Sequence, residues 1–317
     1  MLRKTLLAAS MILILAGGAA ADTPPDYLQS IYGMDQASQM VQASDGRVLV
    51  ADSYHNRVVI LSLAGDFLGQ FGSRGYGLGE LYIPSGLVFD HDGNLFVADQ
   101  FNHRIVKYSP ALAPLTAFSS YGTAPGQLWY PTNMAISPDG TRLYVTELGG
   151  NRVSMFSPAG AFLGSFGGPG TGPGQFDHPW GIAVESTGMV FVADQYNHRI
   201  QVFSATGDYV SQFGGPGSGP GQFHNPVGMN FDATGDLYVC DQLNNRVQKF
   251  NRDGEFRTQW GSYGSGPGAF KNDWCVLPTS DNRIWVGDSY NYRLQIFGYV
   301  PVPAVQRSWG SLKQHFH

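Results

Sequence analysis

The side chains whose types and spacing could do chemistry come in pairs. An acidic residue precedes an arginine by five positions at Asp52/Arg57, Asp99/Arg104, Glu147/Arg152, Asp194/Arg199, Asp241/Arg246 and Asp288/Arg293. A carboxylate and a guanidinium within reach make a charge-assisted ion pair, which can polarise a substrate or anchor a chain. Repetition decides between the two. The acidic residues recur at intervals of 47, 48, 47, 47 and 47, and a reaction needs an asymmetric centre, so a pair present in every copy is expected to hold each unit together. We expect it to be buried or half-buried, tying down the turn between its members or reaching the next unit.

A period of that length signals a propeller or solenoid whose repeat is one supersecondary unit. Around 189–203, MVFVADQYNHRIQVF, the pattern predicts strands at 181–184, 189–193, 200–203 and 209–213, separated by the turns Glu185-Ser186-Thr187-Gly188 and Ala205-Thr206-Gly207-Asp208. Apolar runs of this length bounded by Gly, Asp and Asn are strands packed on both faces. Beyond residue 21 no segment has the length and period of a helix. The expected fold is all-β: a six-bladed β-propeller of four-stranded antiparallel blades, the ring closed by a terminal strand, which leaves only short edges. Segments 27–33 and 305–310 both match the outer strand, and the first leads directly into blade one, so it is expected to close the ring.

The turns Asn102-His103-Arg104-Ile105 and Asn197-His198-Arg199-Ile200 resemble the Asn-His-Arg-Ile core of the NHL-repeat family, and the other copies match in part. The resemblance covers nearly the whole chain after residue 21 and implies a six-bladed propeller of the exported bacterial type. His103 and His198 then belong to the repeated turn and are not ligands.

Residues 1–21 carry Arg3 and Lys4, an uncharged apolar run and Ala19-Ala20-Ala21, the pattern of a secretory signal peptide. The expected organisation is a signal peptide over 1–21, a single propeller over 22–310 and a tail over 311–317, in a monomer that is periplasmic or extracellular with no transmembrane anchor. Without residues 1–21 the net charge goes from −5 to −7. Nucleic-acid affinity comes largely from Lys and Arg on phosphates, so nucleic acid is not an expected partner. Two cysteines without a CxxC exclude clustered zinc modules. Cys240 and Cys275 lie in adjacent blades of an exported chain, where a disulfide between them is one expectation.

Specific function should lie where the blades differ. The residue entering each inner strand reads Ser38, Ser85, Thr132, Trp180, Val227 and Trp274, so hydroxyls face apolar groups round one channel mouth. With Asn133, Trp129 and Tyr130 these form an expected site for a protein, peptide or glycan; the alternative is that Trp180 and Trp274 plug the channel. Three enzymatic readings compete with it. Peptide-amidating lyases with similar repeats place a zinc-binding His directly after the inner-strand Pro, where this chain has Ser85, Thr132, Trp180 and Val227; His178 and His224 precede the Pro instead. The stretch 131–140 resembles the gluconolactonase motif, which implies Asn133 as an oxygen ligand for a divalent metal, calcium or zinc; Asp273 and Glu147 are the carboxylates expected nearby, neither of them in a matching motif. No nucleophile elbow or Ser-His-acid set stands out. The expectation is a non-enzymatic binding scaffold without cofactor, with a metal-dependent lactonase as the alternative.

Overall fold

The computed structural model describes residues 23–299; the expected signal peptide, the tail and segment 305–310 lie outside the described residues. Six four-stranded sheets follow one another along the chain. Their inner strands are Ala37–Gln42, Pro84–Phe89, Pro131–Ile136, Pro179–Val184, Pro226–Phe231 and Asp273–Pro278. Blades one to five run from inner to outer strand in chain order. Blade six takes its outer strand from the N-terminal side: Asp26–Tyr32 pairs antiparallel with Arg293–Gly298, from Asp26 opposite Gly298 to Tyr32 opposite Arg293. The closing strand is therefore the one expected from its lead into blade one.

The blades pack because both faces of each sheet are apolar. Met40, Val50, Val59 and Leu61 of blade one meet Leu277, Trp285, Leu294 and Ile296 of blade six in one such core, and Trp285 is wholly buried. At the third residue of an inner strand the neighbouring strands come so close that a Cβ on Gly181 would collide with the Val227 carbonyl, and one on Gly228 with that of Trp274. Gln39 and Asn133 stand at this position in blades one and three.

The paired acids are hubs. The Asp241 side chain is wholly buried; its Oδ1 accepts from His224 N at 2.6 Å, and its Oδ2 from Arg246 Nε at 2.7 Å, Asn244 Nδ2 at 2.9 Å and Gln248 Nε2 at 3.0 Å. Arg246 then donates to the carbonyls of Ser218, Gly219 and Gln222 in the linker from the preceding blade. Arg104, Arg152, Arg199 and Arg293 hold their own linkers in the same way. Burial pushes the carboxyls of Asp99, Asp194 and Asp241 up from their ordinary range despite these partners. Glu147, one methylene longer, accepts from Trp129 N, Arg152 Nε and Ser154 Oγ.

Blade one departs from this pattern. Arg57 Nε does donate to the buried Asp52 Oδ2 at 2.7 Å, but the Arg57 side chain is 26% exposed, against 4% for Arg293. Its other donors reach Gln70 Oε1 at 2.7 Å and, at 3.4 Å, the Gly33 carbonyl. The reason is the closing strand: only residues 33–36 join Asp26–Tyr32 to Ala37–Gln42, so blade one has no long glycine-rich linker whose carbonyls Arg57 could gather and which would cover it. His55 Nδ1, at 2.9 Å from Asp52 Oδ2, takes the place of the asparagine donor found in blade five.

The residue before each arginine closes the turn in the left-handed region: Asn56, His103, Asn151, His198, Asn245 and Tyr292 all have φ between 49° and 56°. In the first five its side chain accepts from a backbone N–H in the next blade, as from Tyr130 N to His103 Nδ1 at 3.1 Å and from Asn225 N to His198 Nδ1 at 3.1 Å. Asn tolerates this conformation, and both Asn and His offer the acceptor. The histidines of the repeated turn thus also act as blade-to-blade clamps.

The expected Cys240–Cys275 disulfide is corrected: both thiols are free and buried. Cys275 packs between blades six and one, its Sγ 3.0 Å from the Ala37 carbonyl, whereas Cys240 packs in the core between blades five and six. The two side chains sit in different cores, one on each side of blade six.

Two outcomes follow from these contacts. Asp241→Ala, which strands Arg246 with a buried uncompensated charge, should lower stability by about 3–5 kcal/mol in urea unfolding; a loss under 1 kcal/mol would show that the hub is not needed. A chain beginning at Asp35, lacking the closing strand, should melt lower by on the order of 10 °C, and an unchanged cooperative transition would contradict closure by Asp26–Tyr32.

Candidate functional site

Burial corrects the channel-mouth site expected from sequence. Ser85, Thr132, Asn133 and Trp180 are buried, and Trp129 and Trp274 half-buried. Ser85 Oγ donates to the Pro131 carbonyl. Thr132 Oγ1 shares a 2.8 Å hydrogen bond with Thr146 Oγ1, which donates to the Trp180 carbonyl at 2.6 Å. Trp180 and Trp274 pack ring on ring across the channel, centroids 4.6 Å apart. The two indoles thus pack on each other, tilted by 57°, with Trp180 buried and Trp274 only half-buried.

The residues proposed for metal binding are not assembled into a ligand set. Asn133 Oδ1 accepts from Met134 N at 2.7 Å and its Nδ2 donates to Gln39 Oε1 at 3.2 Å. Asp273 is wholly buried, and neither carboxylate oxygen has a hydrogen-bond partner. It faces the Cys240 thiol, and burial above all, with the nearby Asp241 and Asp288, pushes its carboxyl well above the ordinary range. It stands where four other inner strands begin with proline. Among the described residues no three His, Cys, Asp or Glu converge on a metal-sized site.

What the structure does assemble is on the motif-turn face. In five turns the second residue is large and apolar: Tyr54, Phe101, Tyr196, Leu243 and Tyr290; in blade three it is Gly149. All five are at least 39% exposed, whereas Leu148, the first residue of the blade-three turn, packs against the core cluster that contains Trp180. Each turn is pinned from behind, the backbone N–H of this residue donating to the preceding linker, as from Phe101 N to the Tyr82 carbonyl at 3.1 Å and from Tyr290 N to the Lys271 carbonyl at 3.1 Å. The side chains are thus presented outward on a backbone already fixed by the hub.

Across blades two and three this ring thickens into an unbroken aromatic chain. Tyr82, Phe101, Tyr130, His103, Tyr121 and Trp129 follow one another with centroids 5.1, 5.1, 4.6, 4.9 and 6.0 Å apart, and the Arg74 guanidinium lies 4.7 Å over Tyr82. Gly149 beneath it is required, since a Cβ there would meet the Trp129 ring at 2.6 Å. Burial lowers the His103 pKa, so at neutral pH the ring is uncharged and joins the chain as an aromatic. Sequence reasoning found Trp129 and Tyr130 but missed Phe101 and Tyr121. For Phe101 the signal was present: a bulky apolar residue stands two places after each of the five hub aspartates.

An NHL-repeat family model matches residues 176–203, and a family described as a 6-bladed beta-propeller matches residues 36–115. Among solved structures, the chain is similar to a streptogramin B lyase at 15% identity and a TM-score of 0.59, covering 82% of this chain and 78% of that one. It is similar to a catalytically inactive virginiamycin B lyase from Staphylococcus aureus with quinupristin at 16% identity and 0.59, covering 85% and 87%. An auxiliary nutrient binding protein from Bacteroides ovatus aligns at 14% identity and 0.63, covering 84% and 70%. At such identities the likeness is one of fold. No curated protein matches the chain.

The raised Asp273 carboxyl has a pH signature. The unfolded carboxyl ionises near pH 4 while the folded one keeps its proton to higher pH, so the wild type loses stability as pH rises from about 4 toward the folded pKa. Asp273→Ala, the residue type of blade one at Ala37, removes that loss. Its advantage over wild type should grow by up to about 1.4 kcal/mol per pH unit above pH 4, and parallel stability curves from pH 4 to 7 would show Asp273 to be ionised when folded.

Proposed function

We propose that this chain, an NHL-repeat six-bladed β-propeller, is a non-enzymatic binding scaffold that takes a partner protein, through a peptide segment, on its motif-turn face. The observation that carries this reading is the aromatic chain from Tyr82 to Trp129, held on turns whose backbone is already hydrogen-bonded. Aromatics beside arginine, here with Phe101 and Tyr121 exposed and the other rings half-buried, are the composition of the energetically dominant part of protein interfaces. Fixed presentation lowers the ordering cost of association.

A glycan is the weaker fit. Successive rings in the first four contacts are tilted by 44° to 57° and make no flat platform for a sugar. The hub arginines Arg104 and Arg152, which could bind hydroxyls, are committed to linker carbonyls and their acids. Phe101 and Leu243 have no polar group to offer. The lyase and nutrient-binding activities belong to structural neighbours that share only the fold, and fold does not carry function. The N-terminal sequence is the support for placing the protein outside the cytoplasm.

Selection of a displayed random-peptide library on the full-length protein tests this reading. Peptides selected by wild type should bind the Phe101→Ala/Tyr121→Ala variant more than about tenfold more weakly, the usual loss for hot-spot aromatics. Leu68→Ala, on an outer strand, should leave binding unchanged. Equal binding by the double variant, or saturable binding on a glycan array with no peptide selected, would overturn a polypeptide partner.

A further inference from the structure

The channel has a second opening, on the face away from the motif turns. There a cavity of about 220 Å³ is ringed by the fifth residue of every inner strand: Val41, Val88, Ala135, Ala183, Asn230 and Leu277. Deeper in, Gln39 lines it while being only 4% exposed. No ionisable side chain lines the cavity.

The orientation of the Gln39 amide is determined by its neighbours. Met134 N donates to Asn133 Oδ1, so the Asn133 group facing Gln39 is the Nδ2 donor, and Gln39 must turn its Oε1 toward it. Gln39 Nε2 then points the other way and donates to no group among the described residues. An N–H that no protein group accepts, at the floor of a largely apolar cavity open to solvent, is a donor that water or a ligand must take up.

We propose that this cavity binds a small uncharged molecule, an aryl or branched-alkyl group bearing one acceptor such as a carbonyl, with the acceptor on Gln39 Nε2 and the apolar part against the ring of fifth residues. The size is bounded: an apolar cavity of about 150 Å³ holds benzene, so this one takes roughly ten non-hydrogen atoms. The absence of a lining cation disfavours a carboxylate or phosphate, whose desolvation would go uncompensated. The site is independent of the aromatic face and stands or falls separately from it.

Acetophenone and ethylbenzene, alike in shape but differing in the carbonyl, are the probes, followed by ligand-observed NMR titration on the full-length protein. Acetophenone should bind saturably and about fivefold or more tighter than ethylbenzene, the factor expected of one neutral hydrogen bond. Gln39→Met should abolish that preference and keep ethylbenzene affinity; Gln39→Leu serves if the first variant does not melt cooperatively. Ala183→Phe should block both probes, with Val88→Phe at the rim as the second blocking variant. No saturable binding to wild type, equal affinity for the two probes, a preference unchanged by the Gln39 variants, or binding that survives both blocking variants would each overturn the proposal.

Discussion

Each blade depends on a carboxylate kept out of water and surrounded by donors. Asp241 accepts from a backbone N–H, an arginine, an asparagine and a glutamine at once, so one side chain joins the end of the second strand, the turn after it and the linker before it. Burying a charge is unfavourable unless it is paired and hydrogen-bonded, and the raised carboxyls of Asp99, Asp194 and Asp241 record that desolvation. The arrangement stays favourable because every oxygen is saturated. Its effect on function is indirect: with linker and turn fixed, the exposed residue at the turn's second position cannot relax inward.

The same logic separates the legible from the illegible. Periodicity reported the hub, because an acid and an arginine five apart recur in every copy and nothing but a repeated structural role explains that. It did not report that Arg57 is the open member, because what covers an arginine here is the linker before its blade, and the short join at 33–36 replaces that linker where the ring closes. Periodicity did report the closing strand, because 27–33 continues into blade one as the other outer strands continue into theirs. Burial at the channel mouth was not legible. Ser85, Thr132 and Asn133 were placed correctly in their strands, but how closely the six strands converge depends on glycine contacts such as Gly181 against Val227, a property of the assembled ring. The disulfide expectation failed for a related reason. Adjacent blades are near in space, but a residue faces one inter-blade core or the other, and Cys240 and Cys275 face different ones.

The aromatic face was missed through the premise that what repeats is structural. That premise holds for Asp99 and Arg104, whose partners lie within the protein. It fails for Phe101, which repeats as Tyr54, Tyr196, Leu243 and Tyr290 yet is turned to solvent. A repeated residue is internal only when its neighbours leave it no outward path, and the second residue of a pinned turn has one.

Convergence of the inner strands also makes the two faces independent. On one side lies the Trp180–Trp274 contact, and on the other the Asn133–Gln39 pair lies at the cavity floor. Between them Thr132 is locked to Thr146, whose hydroxyl holds the Trp180 carbonyl, so the strand carrying Asn133 has no slack to transmit. A group entering beneath Gln39 meets an amide whose direction is set by the Met134 backbone and not by anything on the motif-turn face. Coupling between two sites requires an element with two arrangements that both sites bias, and what stands between the tryptophans and the amide is the hydrogen-bonded Thr132–Thr146 pair. Occupancy of one face should therefore leave affinity at the other unchanged, which makes the propeller a rigid body carrying two unlike surfaces.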